Sequence, residues 1–319
     1  MRAALARDFA ALPDFDVVAT IDARFREEPG VTWSTVAIGP GEEKSRLLAI
    51  ARDSDYTLAI APETGGILAE RALWLDSTPT RSLGSSASSI AVAGDKGRLA
   101  TMFKAAGIRA PRTTIVHPYA GQTPPFDGPT VLKPIDGAGC TDTFYSNTHY
   151  HHRPVHLTRH MVLQQYVRGI PSSACFLLDA SGRANLIAVG RQDVVITNGR
   201  FSYRGGSIPA PRNRADDQVR AAVGIVPGLR GFVGVDFIWN EHEDRSTVIE
   251  INPRPTTSVV ALTRLLGPGK LARAWIEACD NAFTSDDAFD QIDDQPELAF
   301  DTNGRLHSSC SSRSTITPS

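Results

Sequence analysis

Lysine is scarce in this chain: Lys44, Lys96, Lys104, Lys133 and Lys270 are the only ones, and arginine carries the remaining positive charge. A chain that otherwise favours arginine keeps a lysine where a compact ammonium is wanted. Cysteine is sparse as well. Cys140, Cys175, Cys279 and Cys310 form no CxxC pair, which argues against a zinc knuckle and against a disulfide framework. No apolar run approaches eighteen residues, so no membrane span is expected. The first residues, MRAALARDFAALPDF, carry Asp8 and have no long apolar core, so they do not read as a signal peptide, and the expectation is a cytoplasmic protein. A formal charge of -2 and a pI near 6.4, without basic clusters interleaved by aromatics, make nucleic acid a poor first partner.

What is present is enough apolar sequence, 41% of 319 residues, to bury a substantial core in two or three lobes. Hydrophobic periodicity predicts a helix over 2–11, a strand over 16–22, a helix over 42–52, a strand over 56–62 and a helix over 65–75. That alternation suggests a small α/β layer entered at a helix, where a wound unit would ordinarily begin with a strand. Beyond SLGSSASS at 82–89, a helix is expected over 95–107, then strand-and-loop blocks at 129–143 and 160–169. Strands 174–179 and 185–196 follow, joined by a turn at Ser181-Gly182. A helix near 215–225, strands at 233–239 and 247–252 and a helix over 267–282 complete the pattern. The stretch 284–319, Asp-rich and then Ser/Thr-rich, lacks apolar periodicity and is expected to be disordered. THYHHRPVH, at 148–156, reads as an exposed connection rather than a metal site, because no acidic residues accompany it in sequence.

Two features suggest chemistry. The loop Asp136-Gly137-Ala138-Gly139-Cys140-Thr141-Asp142 follows the strand VLKP; its small residues let backbone N–H groups approach an anion, and Lys133 adds a charge. It is neither a Walker A motif nor a dinucleotide fingerprint, and by itself a plain β-hairpin fits it equally well. The strand VIEIN places Glu250 and Asn252 on one face, and Asp236 lies on the neighbouring strand GVDFIW. Three hard oxygen donors suit Mg²⁺; pairing of Asp236 and Glu250 with arginines is the competing reading.

These residues resemble the ATP-grasp superfamily. The blocks that carry the resemblance occur in the family's order: GDK at 94–96, VLKPIDGAG at 131–139, LQQYVRG at 163–169, GVDF at 234–237 and EINPRPTTS at 250–258. The fold implied is α/β, built of α+β lobes: an ATP-grasp domain over 91–283, with a lid at about 110–168, behind a short N-terminal α/β pre-nucleotide domain over 1–90. The resemblance implies that Lys96 and Lys133 contact ATP phosphates under a loop that includes Gly137, Ala138, Gly139 and Cys140. It implies that Gln164, Gln165, Tyr166 and Val167 hold the adenine, and that Asp236, Glu250 and Asn252 hold Mg²⁺ or Mn²⁺. Arg254 is expected beside the transferred phosphoryl group or a substrate carboxylate, and Arg191 is a second candidate for stabilising developing charge. Gln164 stands where many members have a glutamate, and ribose contact is left unassigned.

NPRPTTS, RGGSIPAP at 204–211 and APETGGIL at 61–68 look most like the branch that contains tyramine–glutamate ligase. That likeness implies ADP-forming amide synthesis from a small-molecule carboxylate and an amine through an acylphosphate. A binding subunit without catalysis and a small-molecule kinase are the alternatives. Relatives include dimers, so a homodimer is compatible. Cys140 reads as a small loop residue rather than a nucleophile, since no base accompanies it. Glu63 and Arg204–Gly206 are candidates for shaping an acceptor pocket, with helix capping the other reading of Glu63.

Overall fold

A computed structural model describes residues 1–116, 126–147, 160–281 and 289–308. The N-terminal lobe begins with α1 (Arg2–Ala10), β1 (Val18–Asp22) and β2 (Ser34–Ile38), followed by α2 (Glu43–Arg52), β3 (Tyr56–Thr57), α3 (Ile67–Leu75) and β4 (Arg81–Ser82). β1 and β2 pair in parallel, as do β3 and β4. The expected strand over 56–62 forms ladder bonds only at Tyr56–Thr57, because its partner offers just two residues. Beyond that point the chain runs to a single turn at Thr64–Gly66, where Gly65 and Gly66 take positive φ and no Cβ would meet an obstacle.

Next come α4 (Ala87–Ala93), α5 (Lys96–Ala105), β5 (Thr113–Val116), β6 (Thr130–Pro134), β7 (Phe144–Ser146) and β8 (Met161–Gln165). They lead to β9 (Ile170–Leu178), β10 (Ala184–Thr197), β11 (Arg200–Ala210), α6 (Asp217–Gly224), β12 (Gly231–Asn240), β13 (Arg245–Asn252), α7 (Val259–Leu266), α8 (Lys270–Cys279), β14 (Leu298–Asp301) and β15 (Leu306–Ser308). One sheet of eleven strands runs β13-β12-β9-β10-β11-β7-β6-β8-β5, with β14 on β11 and β15 on β14.

β9 explains why its sequence shows a continuous apolar run. Ala174, Phe176 and Leu178 enter a core with α5 and α6, while Cys175 and Leu177 enter a second core under α1, α7 and α8. A strand covered on both faces loses the polar half of its alternation. Helix starts are fixed by carboxylates: Asp95 accepts from the N–H groups of Gly97 and Arg98, each at 2.9 Å, and so begins α5 where Lys96 must sit. Asp8 of α1 is buried and accepts from Gly269 N–H at 2.7 Å and Ala272 N–H at 2.8 Å, so a distant helix caps α8 and docks the N-terminal lobe.

The expectation of disorder from residue 284 is corrected by β14. Its residues pair antiparallel with β11 in the register Gly205↔Asp301, Gly206↔Phe300, Ser207↔Ala299 and Ile208↔Leu298. Phe300 is buried in the core under α7 and α8, so LAFD carries the apolar side chain that the surrounding acidic residues mask in a composition reading. The His-rich piece 148–156 and residues 309–319 lie outside the described residues. No helix among the described residues is long and apolar enough to cross a membrane.

Candidate active site

The large sheet curls around a cavity of about 530 Å³. Lys96, at the start of α5, donates to Gly137 O at 2.8 Å, and its own N–H donates to Ile135 O at 3.0 Å. The glycine-bearing loop is therefore tied to the GDK turn through both main chain and side chain. Cys140 takes φ +62° within that loop and Gly139 φ +67°. Residues 137–141 line the concavity, and a tight loop of small residues lets its backbone approach an anion there.

Across the cavity, Asp236 of β12 pairs in register with Glu250 of β13, and Gly234 pairs with Asn252. A Cβ at Gly234 would sit 2.8 Å from Thr256 Cγ2, so glycine here lets the NPRPTTS turn fold back on the strand. Glu250 lies 3.4 Å from Lys96 Nζ and 3.6 Å from Lys133 Nζ. Burial pushes the Glu250 carboxyl up, but the two lysines outweigh it and hold it well below the usual carboxylate range. Asp236 is treated oppositely. Burial and then the Glu250 charge raise it, and its oxygens accept from the side-chain amides of Gln192 at 2.9 Å and Asn252 at 3.0 Å. Lys133 is buried, and that burial lowers its pKa despite Glu250 beside it.

The reading of Asp236 and Glu250 as arginine-paired is thus replaced by lysines at one carboxylate and amides at the other. Two half-buried carboxylates on paired strands, with an amide beside them, are a hard-oxygen set that a divalent cation would neutralise. The donor set itself, two carboxylates and an amide on paired strands that line one cavity, is the observation that favours such an ion.

Gln164, Gln165, Tyr166 and Val167 line the cavity. The N–H groups of Gln165 and Tyr166 are already bonded to Arg112 O and Pro129 O, each at 2.9 Å, and Gln164 Nε2 donates to Thr113 Oγ1 at 3.0 Å. Gly137, Ala138, Gly139 and Cys140 also line it, as does Arg254. Burial, then Glu250, pushes the Cys140 thiol up to about 12, so it is not a thiolate nucleophile at neutral pH.

Arg191 does not line the cavity. Its neighbour Gln192 occupies the face of the carboxylates together with Val194, and regular alternation along β10 turns Arg191 to the opposite face. Sequence reading missed Gln192, and it also missed Tyr203, Phe300 and Thr302, which share the cavity wall. Gly205 and Gly206 act otherwise than expected: a Cβ on Gly205 would fall 1.9 Å from Phe300 O, so the pair makes room for β14.

A phosphate-type loop facing paired lysines and carboxylates between the halves of a curled sheet defines an ATP-grasp fold. The ATP-grasp domain family matches residues 93–258 and the pre ATP-grasp 3 domain family matches residues 15–90; the chain belongs to the ATP-grasp family. Tyramine–L-glutamate ligase from Methanocaldococcus fervens is 28% identical over 211 residues, 65% of this chain and 61% of that protein. The enzyme of the same name from Methanocaldococcus jannaschii is 26% identical over 224 residues, covering 69% and 62%. The chain therefore spans about three fifths of the length of these relatives. A crystal structure of a protein assigned to the ATP-grasp superfamily from Archaeoglobus fulgidus superposes with a TM-score of 0.59 at 26% identity, covering 80% of this chain and 74% of that one.

Proposed function

We propose that the protein is an ATP-dependent, ADP-forming ligase that joins a small-molecule carboxylate to an amine. The observation that carries this reading is the convergence of Lys96, Lys133, Asp236 and Glu250 beneath the 136–142 loop, with Arg254 in the same cavity. Lys96 and Lys133 would hold the ATP phosphates, the loop N–H groups would cover them, and Val167 would meet the base edge, since the Gln165 and Tyr166 N–H groups are engaged. Asp236, Glu250 and Asn252 would hold Mg²⁺, with Mn²⁺ an alternative; when bound, the ion neutralises charge on the phosphate oxygens.

A substrate carboxylate oxygen attacks the γ-phosphorus, the bond to the β,γ-bridging oxygen breaks, and ADP leaves. The amine nitrogen then attacks the acyl carbon, loses a proton to water, and phosphate departs as the amide forms. Both steps gather negative charge on oxygen, which Arg254 and the lysines stabilise, so orientation and charge do the work without a covalent nucleophile. The tyramine–L-glutamate ligases among the relatives suggest an amino-acid carboxylate and an amine, of the kind used in methanofuran-type cofactor synthesis. The test is the product balance. Protein supplied with Mg²⁺, ATP and a panel of L-amino acids and amines should release ADP and phosphate one for one; AMP and pyrophosphate would reject the reading.

A further inference from the structure

One turn of the N-terminal lobe touches three blocks of the site at once. Gly65 N–H donates to Asp136 Oδ2 at 2.8 Å, at the beginning of the phosphate-type loop. Glu63, two residues earlier, packs against Gly94 of the GDK block: a Cβ built on Gly94 would lie 3.1 Å from Ile90 O and 3.2 Å from the Glu63 Cβ, so a side chain there would crowd both. The Glu63 carboxylate faces Arg254 with both oxygens. Arg254 Nη2 donates to Oε2 at 3.0 Å, and Nε lies 2.9 Å from Oε1 but off the hydrogen-bond direction. The two side chains are 6% and 14% exposed, so the pair is screened little by solvent.

Two other roles for Glu63 fail on this geometry. It does not cap the turn it begins, for its side chain accepts no N–H there. It does not line the cavity, whereas Arg254 does, so an amine bound in that cavity would meet the arginine before it met the carboxylate. Among the described residues Arg254 has one further bond, from Nη1 to Pro255 O at 3.2 Å, a contact with its own neighbour that leaves the guanidinium direction to Glu63.

We propose that Glu63 is a positioning residue: it acts through Arg254, fixing the direction in which the guanidinium enters the cavity and so making the N-terminal lobe part of the catalytic apparatus. The inference rests on the ligase reading for its kinetic form. An arginine held from behind by a buried carboxylate needs no reorientation when charge develops on a phosphoryl or acyl oxygen, and loss of that hold leaves the charge present but misdirected.

A double-mutant cycle tests it. Rates of ADP release are measured with ATP and the best amino-acid and amine pair from the panel, for Glu63→Gln, Arg254→Met and the two combined. Glu63→Gln is expected to lower kcat by about 10- to 100-fold with KM for ATP changed by less than about threefold. In the Arg254→Met background, Glu63→Gln should change kcat by less than about twofold, because its effect travels through the missing arginine. Additive losses, an effect confined to KM for the amine, or an unchanged kcat overturns the proposal.

A second readout is independent of turnover. The Arg254 Nη2–H resonance, assigned by its loss in Arg254→Met, should be sharp and slow to exchange in the wild type and broadened in Glu63→Gln. Identical signals in the two proteins overturn the positioning role. If the wild type releases no ADP with any pair while this difference is seen, it is the ligase reading that fails and the Glu63–Arg254 relationship that stands.

Discussion

Asp236 and Glu250 stand opposite one another across β12 and β13, yet Glu250 is held by two lysines and Asp236 by two amides. The two positions should therefore respond in opposite ways to loss of charge. Asp236→Asn relieves a buried repulsion and is expected to leave the unliganded protein as stable as the wild type, or more stable by about 1 kcal/mol. Glu250→Gln strands Lys96 and Lys133 against each other and should cost about 3–5 kcal/mol. Both should abolish Mg²⁺-dependent ADP formation. Urea unfolding beside turnover separates the two effects.

Lys133→Arg is not a conservative exchange here. Lys133 is 7% exposed with its ammonium 3.6 Å from Glu250, and the longer planar fork of an arginine does not reproduce that point charge. ATP affinity, read by titration with MgATP, is expected to fall about 100-fold for Lys133→Ala and not to recover in Lys133→Arg.

Cys140 should be dispensable as a chemical group. With its thiol pushed up to about 12, it carries almost no thiolate at pH 8, so iodoacetamide is expected to leave ADP formation intact. Cys140→Ser should keep turnover within about threefold of the wild type, since only loop size matters. Rapid inactivation by the reagent, prevented in Cys140→Ser, would return the cysteine to the mechanism.

Asp8→Ala removes the acceptor of two buried N–H groups at the start of α8 and should cost about 2–4 kcal/mol in urea unfolding. Burial raises the Asp8 carboxyl, with the Ala272 and Gly269 N–H groups opposing it. The folded chain then binds this proton more tightly than the unfolded chain does. The contribution of Asp8 is therefore largest at acid pH and declines as pH climbs through the raised range, so the cost of Asp8→Ala should be larger at pH 4.5 than at pH 7.

Gly205→Ala places a methyl 1.9 Å from Phe300 O at φ +133° and should lift β14 from the sheet. Trypsin cleavage after Arg305 is expected to accelerate about tenfold or more, the sign of a local opening made easier by at least about 1.4 kcal/mol. Unchanged cleavage would place the register of β14 elsewhere.

The scarcity of lysine was a legible signal: two of the few lysines converge on Glu250. Period-2 alternation likewise placed Glu250 and Asn252 on one face, because β13 is regular over those residues. Arg191 shows the limit of alternation as a guide. Alternation says that Arg191 and Gln192 face opposite ways, and only the folded sheet decides which of them meets the carboxylates. β14 was illegible for another reason. Its pairing partner lies some ninety residues earlier, and four residues of strand among aspartates leave no local period to detect. Glu63 could be noticed as a polar residue at a strand end, but its partner lies 191 residues away in sequence, a distance that only the folded chain closes.

The late return of β14 also bears on how the molecule is made. A chain leaving the ribosome has already exposed Lys96, the 136–142 loop and the β12–β13 carboxylates before residues 298–301 emerge to seat Phe300 over Gly206. Until then the β11 edge stands open beside a half-walled pocket, ready to accept another extended segment. A released chain ending at residue 290 should accordingly recruit holdase-type chaperones more strongly than one that includes residues 298–308, and the hairpin serves synthesis as a closing latch as well as serving the finished site as a wall.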